Sequence, residues 1–185
     1  MKKFISILGS TGSIGRTTLK IIDKKKKYFK PYVFSANKNH NLIIKQIKKY
    51  KPDFFIIMNY KTFKKIKKKL KKNHKTKILN NFDQIKIKKK SDITVSAIPG
   101  LDGLQPTINA IKFSKKILVA NKESIICGWD ILKKNLFKYK TKIIPIDSEH
   151  FSILKLIEKI NPNNINKIYI TASGGPFLNY KINKL

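Results

Sequence analysis

The stretch SILGSTGSIGRTT, residues 6–18, carries three glycines at three-residue spacing directly after a short apolar run. Gly9, Gly12 and Gly15 stand where a first strand, residues 4–8, is expected to pass into a first helix. Glycine at such a junction permits a tight turn and a close approach to a phosphate, which the positive end of the helix dipole stabilises. The spacing differs from the commoner G-x-G-x-x-G, so the spacing alone does not predict a nucleotide site. The position of the turn between a strand and a helix does predict one, and an ordinary glycine turn is the alternative.

Short apolar runs alternate with amphipathic segments along the first 146 residues. Runs rich in β-branched residues predict buried strands at residues 4–8, 32–36, 53–58, 92–98, 116–120 and 142–146. The segments between them place apolar residues three and four positions apart, which predicts helices. Strand and helix in alternation predict an α/β fold, a doubly wound Rossmann-like parallel sheet. A second domain is expected over residues 147–185, after the nucleotide-binding domain of residues 1–146, with a helix and a strand at 166–170.

The net charge of +32 suggests a nucleic-acid-binding protein as an alternative. Arg16 is the only arginine among 42 basic residues, whereas phosphate and base recognition favour arginine. Lysine is abundant together with isoleucine and asparagine, all encoded by A+T-rich codons, so compositional drift is the simpler explanation of the charge. Residues 91–111 contain no lysine, which indicates a local constraint on that segment.

The chain is expected in the cytoplasm, with neither a membrane nor a nucleic acid as its partner. No apolar run approaches the roughly 18 residues of a membrane span, and we identify no targeting segment at the start of the sequence. A single cysteine, Cys127, excludes a disulfide framework and suits a reducing compartment. Cys127 and the helically spaced Trp129 and Phe137 are expected in the core.

The end of the second predicted strand indicates which dinucleotide is bound. An NAD site usually offers an acidic residue there to the ribose 2′-hydroxyl. The chain has Asn37, Lys38 and Asn39 instead. The absence of an acid and the presence of a lysine favour NADP, with its extra phosphate.

Two further polar clusters follow strands, at the edge where open α/β sheets bind ligands. Asn121, Lys122 and Glu123 come after the strand at 116–120, and DSEH follows the strand at 142–146. If the DSEH segment is extended, Asp147 and Glu149 point to one side, a donor set suited to Mg²⁺ or Mn²⁺. A helix N-cap is the alternative for DSEH. The segment TASGGPF, residues 171–177, offers either an anion site or a plain turn.

Four motifs in order, GSTGSIG at 9–15, NKES at 121–124, DSEH at 147–150 and SGGPF at 173–177, closely resemble the 1-deoxy-D-xylulose 5-phosphate reductoisomerase family. The resemblance covers essentially the whole chain. It implies conversion of 1-deoxy-D-xylulose 5-phosphate to 2-C-methyl-D-erythritol 4-phosphate, in the non-mevalonate route to isoprenoid precursors. NADPH and Mn²⁺ or Mg²⁺ are the implied cofactors, a phosphosugar the substrate and a homodimer the assembly.

The resemblance also assigns roles to residues of this chain. It implies cofactor contacts from Thr11, Gly12, Ser13, Ile14, Asn37, Lys38, Asn39, Asn121 and Glu123. It implies substrate contacts from Lys122, Ser148, Glu149 and Ser173, with Lys122 and Glu149 catalytic. Asp147 and Glu149 are the implied metal ligands, and residues 147–185 the start of the catalytic domain.

Family members are longer and supply a mobile loop, more phosphate ligands, a third acidic metal ligand and a helical domain after SGGPF. The chain is therefore expected to be an N-terminal fragment or a truncated form that binds NADPH with little or no turnover. A catalytically inactive nucleotide-binding remnant is the alternative. Other Rossmann-type NADP enzymes share the glycine turn without the combination of NKES and DSEH.

Overall fold

The computed structural model describes residues 1–70, 75–86 and 89–170. Contacts divide the chain into two compact units, Met1–Asp147 and Ser148–Leu185. Within the described ranges, no helix combines the length and the apolar character needed to cross a membrane.

Strands and helices alternate through the first unit. The strands are β1 (Lys3–Leu8), β2 (Phe29–Ala36), β3 (Phe54–Ile57), β4 (Lys77–Leu79), β5 (Ile93–Ser96), β6 (Lys116–Val119) and β7 (Lys142–Pro145). The helices are α1 (Ser13–Lys24), α2 (His40–Tyr50), α3 (Tyr60–Lys69), α4 (Leu104–Ile111) and α5 (Lys122–Tyr139). The second unit contains α6 (Ser148–Ile157), and short 3₁₀ turns span Leu101–Gly103 and Pro162–Asn164.

The strands in the described part of the chain form one parallel sheet in the order β4-β3-β2-β1-β5-β6-β7. This confirms the predicted doubly wound α/β fold. The chain adds β2, β3 and β4 on one side of β1, then returns to place β5 on the other side. The point where the order reverses, between β1 and β5, is where ligands of such sheets bind, because the loops at the carboxyl ends separate there.

Each face of the sheet has its own hydrophobic core. Successive residues of a strand point to opposite faces, and Ile7 and Leu8 of β1 accordingly belong to different cores, both fully buried. Ile7 packs in the core that includes Ile43 of α2. Leu8 belongs to the core that includes Leu132 of α5. Each such buried side chain contributes about 1.5–3 kcal/mol of transfer free energy, so the helices on both faces anchor β1 firmly.

The structure differs from what the sequence predicted in three places. The sequence did not predict β4, a strand of three residues. The predicted strand at 166–170 was wrong: these residues pair with no strand in the described chain and are exposed. Composition alone does not make a strand, because a strand also needs a neighbouring strand to pair with. Cys127, Trp129 and Phe137 are exposed on α5, with Phe137 at 89%, because the helix buries Ser124, Gly128 and Leu132 instead.

The partly buried carboxylate of Asp92 connects β1 to the start of β5 and to the lysine that precedes β6. Asp92 accepts hydrogen bonds from the Phe4 backbone N–H at 2.8 Å and from Lys115 Nζ at 2.7 Å. The hydrogen bond from Lys115 lowers the pKa of Asp92, and the bond from Phe4 acts in the same direction against the effect of burial. Because this pKa is lowered in the folded state, its stabilising contribution is present above the unfolded pKa of about 3.9 and is lost as pH falls through the folded value.

We expect Asp92→Asn to lower the free energy of unfolding by about 1 kcal/mol at neutral pH, since the amide keeps an acceptor and loses the charge. The difference from the wild type should shrink as pH falls below about 4. Urea denaturation at a series of pH values measures both effects. Asp130→Asn, on the exposed part of α5, is the matched control and should leave the free energy of unfolding at neutral pH nearly unchanged. A constant difference down to low pH would contradict the role assigned to the charge.

Candidate functional site

The glycine turn lies at the carboxyl end of β1, against the loop that follows β5. Gly9 has a φ of +80°, and a Cβ atom there would lie 2.8 Å from the Ala97 carbonyl oxygen. A Cβ atom on Gly15 would overlap the Gly9 carbonyl oxygen and the Ser10 backbone. A side chain at either position is therefore excluded by the backbone itself, and α1 begins in close contact with the turn.

The turn is bonded to β2 through Ser35. The Gly9 N–H lies 3.1 Å from both the carbonyl oxygen and Oγ of Ser35, and the Ser10 N–H donates to the Ser35 carbonyl at 2.8 Å. These bonds use the first two amides of the turn. The Gly12 N–H donates to the Gly9 carbonyl oxygen at 3.1 Å, which closes the turn at the start of α1.

The amino end of α1 has no side-chain cap. Asn39, Asn59 and Asn121 cap α2, α3 and α5 by accepting a hydrogen bond from the third helical N–H. The N-cap of α1 is Gly12, which has no side chain, and the first turn of α1 contains no acidic residue. A helix start of this kind presents backbone N–H groups and a positive dipole end to an anionic ligand.

Two adjoining cavities, both lined by described residues of the first unit, open at this edge of the sheet. One has a volume of about 650 Å³ and extends from the glycine turn to the end of β2. The other, about 280 Å³, extends from the glycine turn to the start of α5. Gly12, Ala97, Ile98 and Pro99 line both, so the two form one cleft across the point where the strand order reverses. Its position and size suit an extended dinucleotide.

The cleft brings together most of the cofactor-binding residues predicted from the sequence. Thr11, Gly12 and Asn37 line the larger cavity. Gly12, Ser13, Ile14, Asn121 and Glu123 line the smaller one. Lys38, Asn39 and Lys122 are not among the described lining residues, although Lys38 and Lys122 are each adjacent in sequence to one that is. Asn39 uses its Oδ1 to cap α2, accepting from the Leu42 N–H at 3.1 Å.

Sequence reasoning missed one wall of the cleft, the loop after β5 and the start of α4. The wall consists of Ala97, Ile98, Pro99, Leu101, Asp102, Gln105, Pro106 and Asn109. These residues match no nucleotide-binding motif. They do fall within the lysine-free segment 91–111, which was the available signal that this part of the chain is constrained.

Asn121 connects this wall to α5. The side chain is buried, with 4% exposed, and its Nδ2 donates to the carbonyl oxygens of Ile98 and Gly100 at 2.6 Å and 2.5 Å. Its Oδ1 accepts from the Ser124 N–H at 3.1 Å and so caps α5. One amide therefore fixes the loop after β5 and orients the first turn of α5, which carries Lys122 and Glu123.

The predicted metal ligands, and the predicted substrate ligands other than Lys122, follow β7 in the sequence. Asp147 ends the first unit, and α6 of the second unit begins at Ser148, so Ser148 and Glu149 are helical and the DSEH segment is not extended. Within the second unit, Ser148 Oγ donates to Glu149 Oε2 at 2.9 Å. In the described residues no three His, Cys, Asp or Glu side chains gather into a group that could hold a metal ion. Ser173 lies outside the described residues.

Comparisons with known proteins show a family and a fold. A family model described as 1-deoxy-D-xylulose 5-phosphate reductoisomerase matches residues 5–128, and the model of its C-terminal domain matches 143–185. The reductoisomerase of Pelagibacter ubique is 51% identical over all of this chain and 48% of its own length. The chain thus spans about half the length of the curated relatives it matches.

Solved structures show the same fold. The Zymomonas mobilis 1-deoxy-D-xylulose 5-phosphate reductoisomerase, in complex with NADPH, matches with a TM-score of 0.85 and 27% identity over all of this chain and 49% of that one. A DOX-P reductoisomerase in complex with NADPH, fosmidomycin and magnesium matches with a TM-score of 0.73 and 30% identity over 80% of this chain and 37% of that one.

Proposed function

The chain belongs to the 1-deoxy-D-xylulose 5-phosphate reductoisomerase family, and from this premise we propose that the cleft of its first unit binds NADPH. We propose further that the chain supplies the cofactor-binding half of an enzyme that converts 1-deoxy-D-xylulose 5-phosphate to 2-C-methyl-D-erythritol 4-phosphate. The observation that carries the proposal is the cleft itself, where the glycine turn, the uncapped start of α1 and the loop after β5 meet.

The residues present fit a dinucleotide. The backbone occupies the space that side chains on Gly9 and Gly15 would take, so the turn is as tight as a pyrophosphate site requires. The backbone amides of Thr11, Ser13 and Ile14 then serve as donors to the pyrophosphate, and the dipole of α1 stabilises its charge. When NADPH is bound, the apolar side chains of Ile14, Ile98 and Pro99 would shield it from water in the smaller cavity, which strengthens these polar contacts.

When bound, NADPH supplies a hydride to an electrophilic carbon. In the proposed arrangement its nicotinamide half lies in the smaller cavity, beside Glu123, and its adenosine half in the larger cavity beside Asn37. Lys122 opens α5 directly after the cap Asn121, so we propose that its ammonium group binds oxygen atoms of a substrate held next to the nicotinamide. The excess of positive charge favours the approach of both anionic ligands.

Asp147 and Glu149 remain proposed ligands of a divalent cation, because carboxylates are the oxygen donors that Mg²⁺ and Mn²⁺ prefer. The described residues do not make a complete metal site. We therefore assign no step of the reaction to the metal. Ser148 and Ser173 remain proposed substrate ligands.

Isothermal titration of the 185-residue chain with NADPH tests the proposed cofactor site. We expect saturable binding of one NADPH per chain. A chain that is folded by circular dichroism and releases no binding heat across the titration, with no change in NADPH fluorescence, would overturn the proposal.

Lys38 should decide the preference for NADPH over NADH. It follows the end of β2, where the 2′-phosphate is expected, and a charge-assisted bond from its ammonium exists only with NADPH. We expect Lys38→Ala to weaken NADPH binding about 10-fold and to change NADH binding by less than about 2-fold. Lys133→Ala, which removes the same charge from α5, is the control and should affect neither. Equal losses for both nucleotides would show that Lys38 does not contact the 2′-phosphate.

A further inference from the structure

Gln46 is a buried polar residue on the inner face of α2. It is 5% exposed, and its neighbours on that face are the fully apolar Ile43 and Ile47. An amide at such a position costs free energy unless its hydrogen-bonding groups are satisfied. An apolar side chain would be the ordinary choice for this face of an amphipathic helix.

Both ends of the Gln46 amide bond one residue of the glycine turn. Ser10 Oγ donates to Gln46 Oε1 at 2.6 Å, and Gln46 Nε2 donates to the Ser10 carbonyl oxygen at 2.9 Å. The Ser10 N–H already donates to Ser35, and Ser10 has no exposed surface. The amide, carbonyl and hydroxyl groups of Ser10 are thus all bonded within the protein. Ser10 belongs to the turn but presents no polar group to a ligand.

Gln46 is absent from the described lining of the cleft. In the described part of the chain, its side-chain hydrogen bonds reach the glycine turn at Ser10, the residue that immediately precedes Thr11. The pair joins positions 36 residues apart and fixes the turn against α2, while Ser35 fixes it against β2. The backbone amides of the turn are consequently held in position before any ligand arrives.

We propose that Gln46 is a positioning residue for the pyrophosphate-binding turn. The inference rests on the proposed binding of NADPH. A turn that is already ordered loses little conformational freedom on binding, whereas a released turn must be ordered by the ligand at the expense of affinity. The bonds from Gln46 therefore contribute to cofactor affinity although no atom of Gln46 contacts the cofactor.

The test compares Gln46→Leu with Thr141→Val in the 185-residue chain. Thr141 is also buried, and its hydroxyl proton is shared between the Ile111 and Ser114 carbonyl oxygens, which lie 2.9 Å and 2.8 Å from Oγ1. Thr141 precedes β7 and so lies at the amino ends of the strands, away from the cleft at their carboxyl ends. Both variants remove buried hydrogen bonds and should lower stability to a similar degree. We expect Gln46→Leu to weaken NADPH binding about 10-fold and Thr141→Val less than about 2-fold.

Hydrogen exchange in the ligand-free chain provides a readout that general destabilisation does not reproduce. Exchange of the amides in residues 9–14 should accelerate in Gln46→Leu and remain at the wild-type rate in Thr141→Val. Ser10→Ala removes one of the two bonds and should give the same pattern at smaller amplitude, which keeps the test available if Gln46→Leu does not fold. In the double variant, the loss of affinity should be smaller than the product of the two single losses.

The outcomes separate this inference from the function on which it rests. Failure of the wild-type chain to bind NADPH would overturn the proposed function. If the wild-type chain binds NADPH and Gln46→Leu binds it with the same affinity, only the role of Gln46 is overturned. The same holds if Gln46→Leu and Thr141→Val lose equal affinity for NADPH.

Discussion

Gly15→Ala should lower the free energy of unfolding by about 3 kcal/mol, at the upper end of the cost of overpacking. The new Cβ atom would overlap the Gly9 carbonyl oxygen and the Ser10 backbone. A flexible side chain can rotate away from such an overlap, but here the obstacle is main chain that is bonded to β2 and α2. The start of α1 must therefore move away from the turn, and NADPH binding should be lost with it. Urea denaturation and calorimetric titration measure the two effects.

Gly12→Ala is the control for the loss of stability. An added Cβ there would lie 3.4 Å from the Gly9 carbonyl oxygen, an ordinary contact, and Gly12 has a φ of −73° that alanine adopts freely. We expect it to change the free energy of unfolding by less than about 1 kcal/mol. Similar stabilities for the two variants would show that α1 is not packed against the turn as described.

Asn121→Asp should destabilise the chain by about 3 kcal/mol, although the two side chains have nearly the same shape. The aspartate keeps the oxygen that accepts from the Ser124 N–H. It replaces the Nδ2 donor by an oxygen that faces the Ile98 and Gly100 carbonyl oxygens in a buried position. Two bonds become oxygen–oxygen repulsions, and the loop after β5 is released from α5. Denaturant titration at neutral pH measures the loss, and NADPH binding should weaken in parallel.

Asn59→Asp is the matched control for this substitution. Asn59 also caps a helix, accepting from the Thr62 N–H at 2.9 Å at the start of α3. Aspartate and asparagine are comparable N-caps, and a negative charge is favourable at a helix start. We expect Asn59→Asp to be neutral or slightly stabilising. A comparable loss at both positions would attribute the effect to capping and not to the two carbonyl bonds of Asn121.

Several errors in the sequence predictions share one cause. The helical spacing of Trp129 and Phe137 showed that they lie on neighbouring parts of α5, but spacing does not show which face contacts the sheet. Gly128, with its non-helical φ and ψ of −120° and 17°, interrupts the helix between the residues that do face the core. Likewise, the composition of residues 166–170 is that of a strand, but pairing depends on a neighbour that composition does not supply.

The sequence by itself determined the fold class, the position of β1 and α1, and the location of the glycine turn. These follow from periodicity and turn chemistry, which act between residues close together in the chain. Only the tertiary structure placed the loop after β5 in the cleft. Only the tertiary structure showed that Gln46 holds the glycine turn and that Asn121 holds the loop after β5. A glutamine in a lysine-rich helix does not indicate burial, because its partner Ser10 lies 36 positions away. Hydrogen bonds of that range exist only once the strand order has brought β1, β2 and α2 together.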